Sequence, residues 1–435
     1  MSDLPPDPIR QGRISALVER LHALYPRMID LSTVRLMRLL GELGDPHLKL
    51  PPVIHVAGTN GKGSVCAFLR AIGEAQGLKV HVFISPHLVR FNERIRIAGE
   101  LVSDAALEAT LEEVERVNAG QPITVFEVLM ASAFLLFSRT EAGLCVLEVG
   151  LGGRFDATNV IARPASCAIA SISMDHKEML GPTIEKIAWE KAGIMKPGVP
   201  VATGRQRAEV MEVFRAEAAL VGAVLSARDV EWRIAPHGDG LRFEDAAGVV
   251  DLPKPSLPGV FQHDNAGIAV AAMRAAGLGI TDSALAAGVG SAQWPARMQR
   301  LTGRLAAGLP AGWELWLDGG HNPGGGEALA EHIAGWGDAP VHVIVGMKKS
   351  KDSAEFLRPL LPRASTLWAV CEPHQHSALP VADIIASSGG VARPGPTVEA
   401  AFAQLPPAPF ARVLICGSLY LAGEVLQLDS DSPPA

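Results

Sequence analysis

The chain has 435 residues, too many for one ordinary domain and enough for two cores. Apolar residues make up 48% and charged residues 20%, and 39 basic against 46 acidic side chains leave a net charge of −7, so no basic face advertises nucleic acid or an anionic membrane. No apolar run is long enough to span a bilayer, and the polar, proline-rich "MSDLPPDPIRQGR" lacks the apolar stretch of a signal peptide. Cys66, Cys145, Cys167, Cys371 and Cys416 are scattered, with no C-x-x-C pair. They read as buried thiols in a reducing, cytoplasmic compartment.

In chain order, "PVIHVAG" (52–58) predicts a strand that runs into "TNGKGS", and a helix opens at Lys62. "KVHVFIS" (79–85), "LCVLEVG" (144–150) and "CAIASIS" (167–173) predict further strands. Apolar runs without alternation suit parallel strands covered on both faces, and strands alternating with helices define an α/β sheet. Residues 228–258 are rich in turns and predict antiparallel strands at the edge of this first domain; the helical run "NAGIAVAAMRAAG" follows. At "SAQWPARMQRL" (291–301) the pattern resets into a second α/β series: "WELWLDGG" (313–320), "VHVIVGM" (341–347), "TLWAVC" (366–371) and "RVLICGS" (412–418). The expected division is a first domain over 1–295 and a smaller one over 296–435, with "DSDSPPA" as a disordered tail.

"HVAGTNGKGS" (55–64) has the glycines, lysine and hydroxyl of a phosphate loop without the usual G-x-x-x-x-G-K-[ST] spacing. A strand, a glycine turn and a helix N-terminus form the context in which backbone N–H groups face an anion and a lysine adds charge. A plain strand-to-helix turn is the competing reading, and kinase, GTPase, ligase or regulator all stay open. The guanine motif [NT]-K-x-D is absent.

Further on, Glu148 is a carboxylate inside an apolar strand, where a metal ion would offset the cost of burial. Asp175 and His176 follow the next strand, at the edge where open α/β sheets bind ligands. Thr183 is placed to cap a helix that ends near Glu190 and Lys191, and local chemistry makes Lys191 an ordinary solvated lysine. In the second series Asp318 and His321 end the strand "WELWL", and the Asn-Pro turn after them starts a helix. Arg297 lies just past the proposed boundary. Strand-end sites on two domains suggest a cleft that closes on ligand.

Six segments in order resemble one family: "HVAGTNGKGS", "SPHLVRFNERIRI", "TVFE", "LEVGLGGRFDATNV", "SMDHKEMLGPTIEKIAWEKAGI" and "LDGGHNP". Together they look like the folylpolyglutamate synthase / dihydrofolate synthase branch of the Mur ligase superfamily. The resemblance implies an N-terminal phosphate-loop ATPase domain with a mainly parallel sheet and a C-terminal Rossmann-like domain. It implies that ATP phosphorylates the carboxylate of dihydropteroate or a reduced folate, and that L-glutamate attacks the acyl phosphate. By motif, Gly58, Thr59, Asn60, Gly61, Lys62, Gly63 and Ser64 would hold the phosphates. Asn265 would meet the adenine, and Arg297 and Asp318 would reach the nucleotide from the second domain, with His321 beside the phosphates. Ser85, Glu148, His176 and a carbamylated Lys191 would ligate Mg2+. Met28, Ile29, Asp30, Leu31, Thr124, Val125, Phe126, Glu127, Phe155, Asp156 and Ala157 would line the pterin side. The chain departs from the family at Ala296, where glycine is usual, and at Gly320 in "DGGHNP". A bifunctional, monomeric enzyme is the expectation. A ligase extending folates only, a Mur-type ligase acting on a peptidoglycan precursor and an ATP-binding regulator are the alternatives.

Overall fold

The computed structural model describes residues 19–21, 23, 25 and 32–430. Met28, Ile29, Asp30 and Leu31 lie outside the described residues, as does the end of the chain from 431 onward.

Eight strands form the first sheet: β1 (Val53–Ala57), β2 (Val80–Phe83), β3 (Ile95–Ile97), β4 (Glu100–Leu101), β5 (Leu144–Glu148), β6 (Ser166–Ile169), β7 (Pro200–Thr203) and β8 (Val224–Ala227). Their order is β4-β3-β2-β5-β1-β6-β7-β8. The pairs from β2 to β8 are parallel, and the antiparallel β3 and β4, which the sequence pattern did not suggest, extend one edge. Every residue of β1 and β5 is buried, the physical reason these strands read as mainly apolar runs without alternation. Helices cover both faces. Lys62–Ala75, Phe261–Ala275 and Asp282–Ser291 pack on one, with Gly288 so close to Ile72 that a Cβ there would lie 2.4 Å from its backbone. Asp104–Asn118 and Val125–Ser138 share another core, built around Phe83, Phe134 and Phe137.

Residues 228–258 do form antiparallel strands, β9 (Trp232–His237), β10 (Gly240–Asp245) and β11 (Gly248–Leu252). They make a separate three-stranded sheet. Trp232 and Phe243, stacked with centroids 5.5 Å apart, bury its inner face in the same core as the helix Phe261–Ala275.

A six-stranded sheet follows: β12 (Gln299–Leu301), β13 (Glu314–Leu317), β14 (Val341–Val345), β15 (Thr366–Ala369), β16 (Arg393–Pro394) and β17 (Arg412–Cys416), in the order β12-β13-β17-β14-β15-β16. Only β12 is antiparallel. The tail expectation needs correction. Asp429 ends the helix Leu419–Asp429, and its carboxylate accepts hydrogen bonds from the backbone N–H groups of Gly303, Leu305 and Ala306. A charged, tail-like residue is thereby tied down as a cap for the turn Arg304–Ala307.

Candidate active site

β1 is the central strand between β5 and β6, and the loop after it emerges where the chain crosses from one side of the sheet to the other. Gly58 and Gly61 have φ values of 142° and 90°, conformations open to glycine and strained for other residues. A Cβ on Gly61 would sit 2.4 Å from Asn265 Oδ1, and one on Gly63 would sit 2.7 Å from the Trp294 ring. The helix then starts at Lys62 with no side chain capping it, which leaves its first N–H groups for an anion. Lys62 Nζ donates to Thr59 O at 3.3 Å. Ser64 and Asn265 are tied together by Gln262, whose amide donates to Ser64 Oγ and accepts from Asn265 Nδ2. Asn265 therefore lies against the phosphate loop itself.

Glu148 ends β5, in register with Val56 of β1, and is buried. Its Oε2 accepts from Ser85 N at 3.2 Å, so a residue two places past β2 and the strand acid form one pair. Burial pushes its carboxyl up, while the charge of Lys62, the Ser85 amide and Arg297 pull it back. Lys191 overturns its local reading. It is 5% exposed, and burial, then the charge of Lys62, lowers its ammonium to about 7. Helix position alone could not reveal this, because the burial comes from the tertiary fold, in which the glycine loop after β5 packs against the Lys191 backbone. A Cβ on Gly153 would lie 3.0 Å from Lys191 Cα.

The strand before His176 is shorter than expected. β6 stops at Ile169, and the following segment turns to run beside the phosphate loop. Ser171 O accepts from Thr59 N and Asn60 N at 2.9 and 3.1 Å, and Ser173 accepts from Thr59 Oγ1 and Asn60 Nδ2. Beyond it, Asp175 is the hub of a seam between the two large sheets. It accepts from Lys351 Nζ at 2.6 Å and Asn322 Nδ2 at 3.0 Å, with His321 Nε2 at 3.5 Å. Burial pushes the Asp175 carboxyl up, but His321, Lys351 and His176 outweigh it and hold it well below the usual range. Asn322 and Asn60 exchange reciprocal amide hydrogen bonds at 3.0 and 2.9 Å. His176, at φ 51°, is lowered to about 4 by burial and then by Lys351. Asn322 also caps the helix Pro323–Ala334. Sequence reasoning missed Lys351, which stands in the polar run "KKSKDS" with no spacing signal. It also missed Asn322, whose place before Pro323 did signal a helix start.

Asp318 is buried one residue past β13, and its carboxylate accepts from Met298 N and Gly320 N. Arg297 donates to Ala296 O and lies close enough to affect the charge of both Glu148 and Asp318. Asp318 thus holds the linker turn, and Arg297 leans toward the first sheet.

Further along the same sheet face, Thr124 and Glu127 form a reciprocal cap for the helix Val125–Ser138. T-x-x-E ahead of an apolar run is the sequence signal of such a cap, one that sequence reasoning missed here. Val125 is buried beneath them. The Phe126 ring covers Gly150, where a Cβ would lie 2.5 Å from it, and meets Phe83 edge-on at 5.9 Å. Asp156 is buried with both oxygens occupied, by Leu151 N, Thr158 N and Thr158 Oγ1. Ala157 is buried beside it, and Phe155 stays 44% exposed. Asp156 thus shapes this wall from within.

An uncapped phosphate-loop helix opposite a buried strand acid, closed over by a second sheet, is the arrangement of an ATP-dependent ligase. No family model matches the chain. It is 34% identical over 410 residues to the folylpolyglutamate synthase of Lacticaseibacillus casei, covering 90% of this chain and 93% of that one. Identity to the dihydrofolate synthase/folylpolyglutamate synthase of Escherichia coli K12 is 33% over 420 residues, 95% of each chain. The solved structure of E. coli FolC in complex with DHPP and ADP superposes with a TM-score of 0.86 at 32% identity, over 96% of this chain and 98% of that one. With likeness at this level along nearly its whole length, the chain belongs to the dihydrofolate synthase/folylpolyglutamate synthase family.

Proposed function

We propose that the enzyme joins L-glutamate to the carboxylate of dihydropteroate and of reduced folates at the expense of ATP, acting as both synthases. The observation that carries this is the exposed amide end of the helix at Lys62 beside the buried pair Ser85–Glu148. The E. coli relative solved with DHPP and ADP supports the same substrate classes. A carboxylate is a poor electrophile until one oxygen becomes a leaving group. Its oxygen attacks the γ-phosphorus and ADP departs; the glutamate nitrogen then attacks the acyl carbon, loses a proton and expels phosphate. The loop amides from Gly58 to Ser64 and Lys62 bear the charge of the transferring phosphoryl, and Arg297 and His321 approach from the second sheet. Phe126 offers a flat apolar face to a pterin ring, with Phe155 and Ala157 completing that wall.

Hard oxygen donors suit Mg2+, and Glu148 fits: a buried carboxylate given one amide hydrogen bond, with the Ser85 hydroxyl on the neighbouring residue. When bound, the ion would neutralise phosphate charge. His176 and Lys191 belong to the same proposed set. The burial of Lys191, whose ammonium makes no hydrogen bond among the described residues, favours its conversion to a carbamate. We assign the first domain to 1–295 and the second to 296–435, and read the protein as a cytoplasmic monomer. Among the described residues no helix is long and apolar enough to cross a membrane.

The test is phosphate release from ATP with magnesium and L-glutamate, in the presence of dihydropteroate, tetrahydrofolate or neither. Turnover with both acids is expected. Turnover with tetrahydrofolate alone restricts the enzyme to polyglutamylation, and turnover with neither overturns the folate reading.

A further inference from the structure

The segment Ala170–Ser173 belongs to no helix or strand, yet the phosphate loop is built on it. Ser171 O receives two loop amides and Ser173 two loop side chains. Contact is close enough that a Cβ on Gly58 would lie 2.8 Å from Ala170 Cβ. On the loop's side this segment is fully engaged. On its other side the sheet has run out, because β6 stops at Ile169 and β7 at Thr203.

A single side chain supplies the missing ladder. Gln206 Oε1 accepts from Ile172 N at 3.0 Å, and its Nε2 donates to Ala170 O and to Thr203 Oγ1, both at 3.1 Å. Thr203 Oγ1 in turn donates to Ile169 O at 3.0 Å. The amide brackets Ser171 from the residues on either side and aims its carbonyl at Thr59 and Asn60. A backbone N–H and C=O two residues apart match the donor and acceptor of one primary amide, as they would a neighbouring strand. A carboxylate or an alkyl chain of similar length cannot serve both.

We infer that Gln206 is a positioning residue for nucleotide binding, holding Ser171 so that the phosphate loop keeps its anion-binding form. The inference rests on residues 58–64 being a nucleotide phosphate loop. It predicts an effect confined to the nucleotide, since the Gln206 amide bonds to Ala170, Ile172 and Thr203 and, among the described residues, makes no hydrogen bond to the wall formed by Phe126, Asp156 and Ala157.

The experiment is calorimetric titration of the full-length protein with ADP and, separately, with dihydropteroate, alongside steady-state kinetics in ATP. Gln206→Leu should weaken ADP about tenfold and raise KM for ATP similarly, with kcat at saturating ATP within about twofold and dihydropteroate affinity unchanged. Thr203→Val removes one acceptor from the same amide and should shift ADP a few-fold in the same direction. It decides the matter if Gln206→Leu does not fold. ADP affinity equal to wild type in whichever variant folds overturns the inference, and so does equal weakening of ADP and dihydropteroate. Failure of the wild-type protein to bind ADP would instead remove the phosphate-loop reading on which it rests.

Discussion

Two residues show how far side-chain identity carries. Glu148 is buried with one amide partner, and the charges of Lys62 and Arg297 only partly offset its desolvation. Glu148→Gln should therefore separate function from stability: turnover falls by at least about 100-fold, while the metal-free protein melts at a higher temperature because an imperfectly paired charge has left the core. A lower melting temperature would mean that the carboxylate is a structural element. Ala296 occupies φ 53° while fully buried, where a glycine is usual in the family it resembles. Left-handed backbone costs an alanine about 1 kcal/mol, and the buried methyl returns about the same. Ala296→Gly should leave unfolding free energy within about 1 kcal/mol of wild type in urea titration. A larger shift in either direction would show that one of these two effects dominates.

At the scale of elements, strands buried on both faces were legible as apolar runs without alternation in β1, β2, β5, β6, β14 and β17, whereas the four-residue β7 and β8 went unread. The short antiparallel β3, β4 and β12 escaped notice because two or three residues carry no period. Pairing between β13 and β17 makes a pH prediction. Glu314 and Arg412 stand opposite in register, with Arg412 Nε donating to Glu314 Oε2 at 2.8 Å. Burial alone would raise this carboxyl, but hydrogen bonds from Arg412 and Trp316 outweigh it and hold it below its ordinary value. A lowered folded pKa means that the pair contributes fully above the unfolded carboxylate range, near 4.5, and loses its contribution as pH falls through the folded value. Melting temperature measured from pH 7 down to about 3 should drop less steeply for Glu314→Gln than for wild type. Parallel acid limbs would sink this assignment.

The whole molecule is decided at the seam. Asn322 joins the phosphate loop through Asn60 and the hub through Asp175 while capping its own helix, so three functions meet in one amide. Asn322→Ala should raise KM for ATP about tenfold and loosen the two sheets against each other. Small-angle scattering of the nucleotide-free variant should give a larger radius of gyration than wild type. An unchanged radius with a normal KM would make the amide pair incidental.

The sequence alone determined the α/β class, the places of the principal strands along the chain and the glycine turn into the helix at Lys62, because each depends on local period, on glycine at a turn, or on a run of motifs in fixed order. It also placed Glu148 inside a strand and Asp175, His176, Asp318 and His321 after strands, since residues leave a sheet at its edge. Only the tertiary structure decided that Lys191 is buried, that Asp156 and Asp318 spend their carboxylates on nearby turns, that Asn322 meets the loop at Asn60, and that Lys351 and Gln206 hold the segment beside it. Several of these contacts join segments far apart in chain order, more than 100 residues between Asn60 and Asn322 or Asp175 and Lys351 and more than 30 between Gln206 and Ile172. No spacing along the chain encodes such contacts.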